Sequence, residues 1–354
     1  MKDNTILHVL MTGAGAPGAA GIIKCLKLSD KIKLTVGDAS ENAVGKYLNP
    51  NFIQLPLASD AAFLNKMLTI CLDHEIQLIL PLVTRELLLL SSAKTLFKEY
   101  GIEILVSDFD KLTIANDKGK LYQFLKNEGI AVPDFKIVKT FQEFTSAGLA
   151  MGYPSKKFCF KPCIANGSRG FRIIDDSIDL NDLVFNYKPD SSIITFEMAA
   201  RFLRKDQFPE LLISEYLPGE EYSVDCVLDQ GKMIICVPRL RSKIVAGIST
   251  AGIFKKNEQI IIYCVEIAGK LSLHGNIGIQ VKMAEDGSYK ILEINPRVQG
   301  TIVAGLGAGV NLPLIAISQI MGWEIKHNEM ETKWETSFIR YYNEVFFEIN
   351  EFNH

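Results

Sequence analysis

Four short apolar runs in the first third of the chain constrain its fold more than any other feature. Ile6–Met11, Ile32–Val36, Ile76–Leu80 and Ile102–Val106 are short and mostly apolar, and stretches of helical period lie between them. A strand that is apolar on both sides is covered on both faces, and parallel strands joined by helices supply that cover. Residues 1–112 are therefore predicted to form a Rossmann-like α/β unit with a parallel sheet. After Lys111 the rhythm changes to a helix over Asp117–Asn127, a Gly129 stop, Pro133, and then clustered strands with glycine turns as far as Asn295. Residues 113–325 are read as α+β, with subdomains of about 113–208 and 209–325. One hairpin there pairs Glu221–Val227 with Met233–Arg239 across Asp229-Gln230-Gly231. Residues 326–354 are an extension in which Trp334–Phe347 alternates enough for two short strands.

Composition narrows the classes of partner. The 354 residues suggest two to three domains, and 48% apolar with 22% charged residues excludes a disordered chain. Lys plus Arg number 38 against 41 Asp plus Glu, a net charge of -3. That balance offers no global field for a nucleic acid or an anionic membrane, so any anion site is local. Seven cysteines form no CxxC pair, which predicts reduced, mostly buried thiols and a cytoplasmic setting. Two uncharged runs, Ile6–Ile23 and Thr301–Trp323, are interrupted by glycine and proline, so they are read as strand, loop and helix and not as a leader or a membrane span.

Gly13-x-Gly15-x-x-Gly18 follows the first strand, and Asp38 stands twenty residues after Gly18. This matches a dinucleotide fingerprint, in which the helix N-terminus takes a pyrophosphate and the acid takes a ribose. An NAD(P) oxidoreductase is one reading. The other is that any βαβ unit needs a tight first turn, whether or not a cofactor binds.

A second constellation lies near the end of the α+β region. With Asp286-Gly287 as a hairpin turn, 284 meets 289, 282 meets 291 and 280 meets 293, which sets Gln280 opposite Glu293 and puts Asn295 on the same face. One carboxylate and two amides suit Mg²⁺, with Mn²⁺ also possible. A solvated polar face explains the same pattern equally well. Lys161, followed by Asn166-Gly167-Ser168-Arg169-Gly170, can hold phosphoryl oxygens through its charge and through loop N–H groups; a surface lysine and a plain turn are the alternative. Arg239, Arg241 and Lys243, ahead of a loop at Gly247–Gly252, alternate onto one face and form either a fork for a phosphate or carboxylate, or a basic edge that discourages strand pairing. Arg85 and Glu86, beyond the third strand, are either a substrate contact or a helix-start charge pair.

Taken in order, Asp117-Lys118, Lys161-Pro162 with its glycine loop, Glu215-Tyr216-Leu217, Glu221, Gln280 and Glu293-x-Asn295-Pro296-Arg297 resemble the ATP-grasp superfamily over roughly residues 1–325. The resemblance extends to proteins similar to the synthetase half of the carbamoyl phosphate synthetase large subunit, with a pre-ATP-grasp domain at the N-terminus. It implies a carboxylate-amine ligase, or one using another nucleophile, that takes ATP and Mg²⁺, passes through an acyl phosphate and releases ADP. It further implies that Lys118 and Lys161 meet the nucleotide phosphates and that Asn166, Gly167, Ser168 and Gly170 cover them. Glu215, Tyr216 and Leu217 would form the adenine hinge, and Glu221 the ribose acid. Gln280, Glu293 and Asn295 would hold the metal and Arg297 the transferred phosphoryl group; apart from the resemblance, Arg239 and Arg241 of the basic face join Lys161 and Arg297 as the expected catalytic cations. The implied partners are a small carboxylate and an amine, with a homo-oligomer possible. A regulatory nucleotide-binding module without catalysis is the remaining alternative.

Overall fold

The computed structural model describes residues 6–165, 167, 169–186, 192–204 and 208–348. Among these, the strands form three sheets.

The first sheet holds β1 (Leu7–Met11), β2 (Ile32–Asp38), β3 (Phe52–Gln54), β4 (Leu78–Leu80) and β5 (Glu103–Ile104), in the order β3-β2-β1-β4-β5. All of its pairs are parallel, as the apolar runs predict. Short β3 has no such run, and the sequence pattern gave no sign of it. Helix α1 (Ala19–Leu26) follows the glycine loop, and α2 (Thr84–Ser92) follows β4.

The second sheet holds β6 (Phe135–Val138), β7 (Phe158–Pro162), β8 (Arg172–Ile174), β9 (Ile193–Ile194) and β10 (Leu211–Glu215), in the order β6-β10-β7-β8-β9. Helix α3 (Lys118–Asn127) leads into it. Asp117 caps this helix by accepting the Gly119 and Lys120 N–H groups at 2.9 and 3.1 Å, which fixes Lys118 as its first residue.

The third sheet holds β11 (Glu221–Asp229), β12 (Lys232–Val245), β13 (Ile248–Phe254), β14 (Gly275–Met283), β15 (Tyr289–Asn295) and β16 (Thr336–Ile339), in the order β15-β14-β11-β12-β13-β16. Helix α4 (Glu258–Leu271) packs on β12, and α5 (Leu312–Ile320) packs on β11. Four sequence expectations need correcting here. Asp229 pairs with Lys232, so the turn after β11 is Gln230-Gly231 alone, both at positive φ. Residues 247–252, expected as a loop, mostly belong to β13, because the chain reverses at Ala246-Gly247. Among the described tail residues β16 is the one strand; Tyr341, Tyr342 and Phe346 are exposed beyond it, while Phe347 stacks on Tyr47 at 4.0 Å. The fourth correction concerns the β14–β15 hairpin. Its turn is Glu285-Asp286-Gly287, closed by Ala284 N–H to the Ser288 carbonyl, so that Met283 meets Tyr289 and Lys282 meets Lys290. A bulge at Leu292 then restores the pairing of Gln280 with Glu293.

The first and third sheets share one apolar core, in which Val9, Met11 and Ile22 cluster with Val237, Phe254 and Ile315. Their joint is a backbone contact: a Cβ on Gly18 would fall 2.4 Å from the Gly300 Cα. Among the described residues no helix is long and apolar enough to cross a membrane.

Candidate nucleotide and metal site

Lys118, Lys161 and Glu293 come together where β7 of the second sheet faces β15 of the third. Lys161 Nζ donates to the Leu292 carbonyl at 2.7 Å and lies 5.7 Å from the Tyr122 ring centre. That carbonyl stands in the bulge, outside regular pairing, and Tyr122 holds the same segment by donating its hydroxyl to the Ile291 carbonyl at 2.7 Å. Lys118 Nζ donates to the Ala165 carbonyl at 2.7 Å and lies 3.3 Å from Glu293 Oε2. Burial, opposed by Glu293 and reinforced by Lys118, pushes the Lys161 ammonium down to about 8. Burial raises the Glu293 carboxyl, but Lys118 and then Lys161 outweigh it and hold the group below its ordinary range.

Gln280 stands opposite Glu293, and Asn295 Nδ2 donates to Glu293 Oε1 at 3.1 Å. One carboxylate with two amides is the hard-oxygen set that Mg²⁺ accepts, because it completes its shell with phosphate oxygens and water. No group of three His, Cys, Asp or Glu residues suited to a metal occurs among the described residues, and a set with a single carboxylate needs none. The residues present therefore fit the ion.

Glu215 Oε1 accepts from the Asp134 N–H at 2.9 Å and from Lys290 Nζ at 2.7 Å, so its carboxylate is engaged by protein groups. Tyr216 lies between Lys157 and Lys282, and Leu217 is buried. Gly167 and Gly170 both adopt positive φ, whereas Asn166 and Ser168 lie outside the described residues.

The proposed fork of cations does not form. Bulges after Arg241 break the alternation, and Lys243 is exposed. Arg241 is paired with Glu221 and donates to Ser249 Oγ at 2.9 Å and to the Gly247 carbonyl at 2.6 Å. Arg239 is wholly buried, bonded to Asp225 Oδ2 at 3.1 Å and to Thr301 Oγ1 at 2.7 Å. Arg297 reaches the first residue of α2, donating from Nε to Thr84 Oγ1 at 3.2 Å.

Arg85 and Glu86 also separate. Arg85 is exposed, while Glu86 is buried and accepts from Thr12 Oγ1 at 2.6 Å. Burial raises its carboxyl to about 7, with Thr12 opposing and Asp38 adding to the rise. Sequence reasoning found neither this acid's burial nor the roles of Tyr122, Asp225 and Thr301; each depends on a partner more than 60 positions away or across a strand pair. The glycine loop is occupied by protein as well. Asp38 accepts the Gly15 N–H at 2.7 Å and the Ser40 N–H at 2.9 Å, and Gly300 sits against Gly18. These contacts use the groups that a dinucleotide would need.

Residues 207–342 match the family described as ATP-grasp in the biosynthetic pathway with Ter operon, and residues 9–105 match the PylC-like N-terminal domain. The segment 207–342 thus carries an ATP-grasp match. Among curated proteins it is similar to the carbamoyl phosphate synthase arginine-specific large chain of Bacillus subtilis (strain 168), at 24% identity over 252 residues, 66% of this chain and 22% of that one. The corresponding chain of Geobacillus stearothermophilus is 24% identical over 241 residues, 64% of this chain and 20% of that one. The chain thus spans about a fifth of the length of these relatives. Among solved structures, N5-carboxyaminoimidazole synthetase from Staphylococcus aureus, complexed with ADP, superposes with a TM-score of 0.67 at 16% identity, covering 91% of this chain and 79% of that one. Biotin carboxylase from Campylobacter jejuni, in an ATP-analogue complex, gives 0.67 at 15% identity, covering 94% and 74%. At such identities the likeness establishes the shared fold alone.

Proposed function

We propose that the chain is an ATP-dependent, ADP-forming ligase that joins a small carboxylate to an amine or another small nucleophile through an acyl phosphate. The observation that carries this reading is the convergence of Lys118, Lys161 and Glu293 beside β15, with Arg297 immediately beyond. Nucleotide phosphates would lie between the two lysines, where a desolvated positive charge attracts them strongly. Gln280, Glu293 and Asn295 would hold Mg²⁺, whose chemistry when bound is to neutralise charge on the phosphoryl oxygens. Lys118 would then exchange Glu293 for a phosphate oxygen. Arg297, held toward α2 by Thr84, would face the transferred group and the carboxylate it activates. Asn166 to Gly170 would cover the phosphates, and Glu215 to Leu217 with Glu221 would take the nucleoside. The ribose could engage Glu221 only in competition with Arg241.

Such chemistry needs no protein nucleophile, because positioning and charge stabilisation suffice for phosphoryl transfer. The test is ADP release across amino acids and small carboxylates, each paired with candidate amines and with hydroxylamine. A hydroxamate formed together with ADP is the expected product. AMP and pyrophosphate as the stoichiometric products would overturn the acyl phosphate route. Glu293→Ala and Arg297→Ala should each lower turnover on the order of 10²-fold or more while keeping the fold.

A further inference from the structure

The seven cysteines form no disulfide in this structure, yet three of them meet at one point outside the nucleotide site. Cys226 on β11 stands directly opposite Cys236 on β12, with its Sγ 3.8 Å from the Cys236 Sγ. Cys264 on α4 lies in the same apolar core. Directly opposed residues of an antiparallel pair have Cα atoms roughly 4.5–5.5 Å apart, inside the roughly 4.4–6.8 Å range that a disulfide spans. The geometry between β11 and β12 therefore needs only a small closure to make the bond. Exposure differs within the trio: Cys226 and Cys264 are fully buried, and Cys236 is partly exposed. Cys226, and then Cys264, hold the Cys236 thiol below its ordinary range, which favours thiolate character at Cys236.

We propose that Cys236 is an oxidation site and that Cys226 resolves it into a cross-strand disulfide. The oxidant class is a peroxide. The Cys236 thiolate attacks one peroxide oxygen, the O–O bond breaks, and the departing oxygen leaves as water after protonation, with sulfenic acid left on Cys236. The Cys226 sulfur then attacks the Cys236 sulfur, the S–O bond breaks, and a second water leaves with the Cys226 proton. Two thiols are oxidised and one hydrogen peroxide is reduced to two waters. The new bond would clamp β11 to β12 next to Asp225 and Arg239, the pair that holds Thr301.

The full chain should be treated with hydrogen peroxide, its remaining thiols alkylated during denaturation, and its peptides mapped without reductant. A peptide linking Cys226 to Cys236, lost on adding dithiothreitol, is the expected result. Cys226→Ala should give no link and should carry Cys236 onward to sulfinic acid, while Cys236→Ser should leave Cys226 and Cys264 reduced. Cys236 remaining reduced in the parent chain, or linking to Cys264 instead, would overturn the proposal.

Discussion

At Lys161 a cation lies beneath β15 with its ammonium already pushed down to about 8, so near pH 8 a sizeable share of the chains lack that charge. A bound triphosphate adds opposite charge and draws the proton back. Binding of a non-hydrolysable ATP analogue at pH 8 should therefore take up on the order of half a proton, seen as a calorimetric enthalpy that varies with the buffer's ionisation enthalpy. Lys161→Met should bind more weakly and lose that dependence; a variant that kept it would remove Lys161 from the phosphate site. Glu86 titrates in the opposite sense. Its folded-state value of about 7 lies above its ordinary 4.5, so within that window the folded chain holds a proton that the unfolded chain has released. Stability then falls as pH rises through the window, by on the order of 3 kcal/mol once Glu86 is ionised. Glu86→Gln keeps an acceptor for Thr12 and removes the charge, so its melting-temperature advantage over the parent should grow between pH 5 and pH 8. An advantage that stayed constant with pH would show that Glu86 does not titrate there.

The β14–β15 hairpin shows what an element's sequence can and cannot reveal. Alternating polarity placed Gln280 opposite Glu293, and the structure agrees, but through two offsets that cancel: a turn longer by one residue and a bulge at Leu292. Period-two counting assumes no bulge, whereas the extra residue shifts the alternation by one, leaving the buried Ile291 and Ile294 three apart. The same assumption hid the breaks after Arg241, and there nothing compensated, so the fork of cations was lost. The parallel sheet was legible because burial on both faces writes itself into each strand, whereas β3, with three residues, is too short to carry a pattern. Tyr122 pins the bulge through its hydroxyl. Tyr122→Phe should cost about 1–3 kcal/mol, the range for stranding a buried acceptor, read as a lower denaturant midpoint with an unchanged slope.

Across the whole molecule, the apolar core shared by the first and third sheets and the contact of Gly18 with Gly300 join what sequence reading divides near residue 112. A joint of this kind leaves no mark in local periodicity, since each glycine has a separate explanation in its own turn. Gly18→Ala would place a methyl 2.4 Å from the Gly300 Cα, so the backbones must separate. The variant should unfold in two calorimetric steps where the parent unfolds in one; a single unshifted transition would show that the joint yields without cost. Two main chains that touch directly have no rotamer with which to absorb a slide. Any rearrangement on nucleotide binding is therefore expected of the second sheet, whose Lys161 bonds β15 through a long side chain. Spectroscopic labels on the first and third sheets should report one separation with or without nucleotide, while a label on the second sheet should report two.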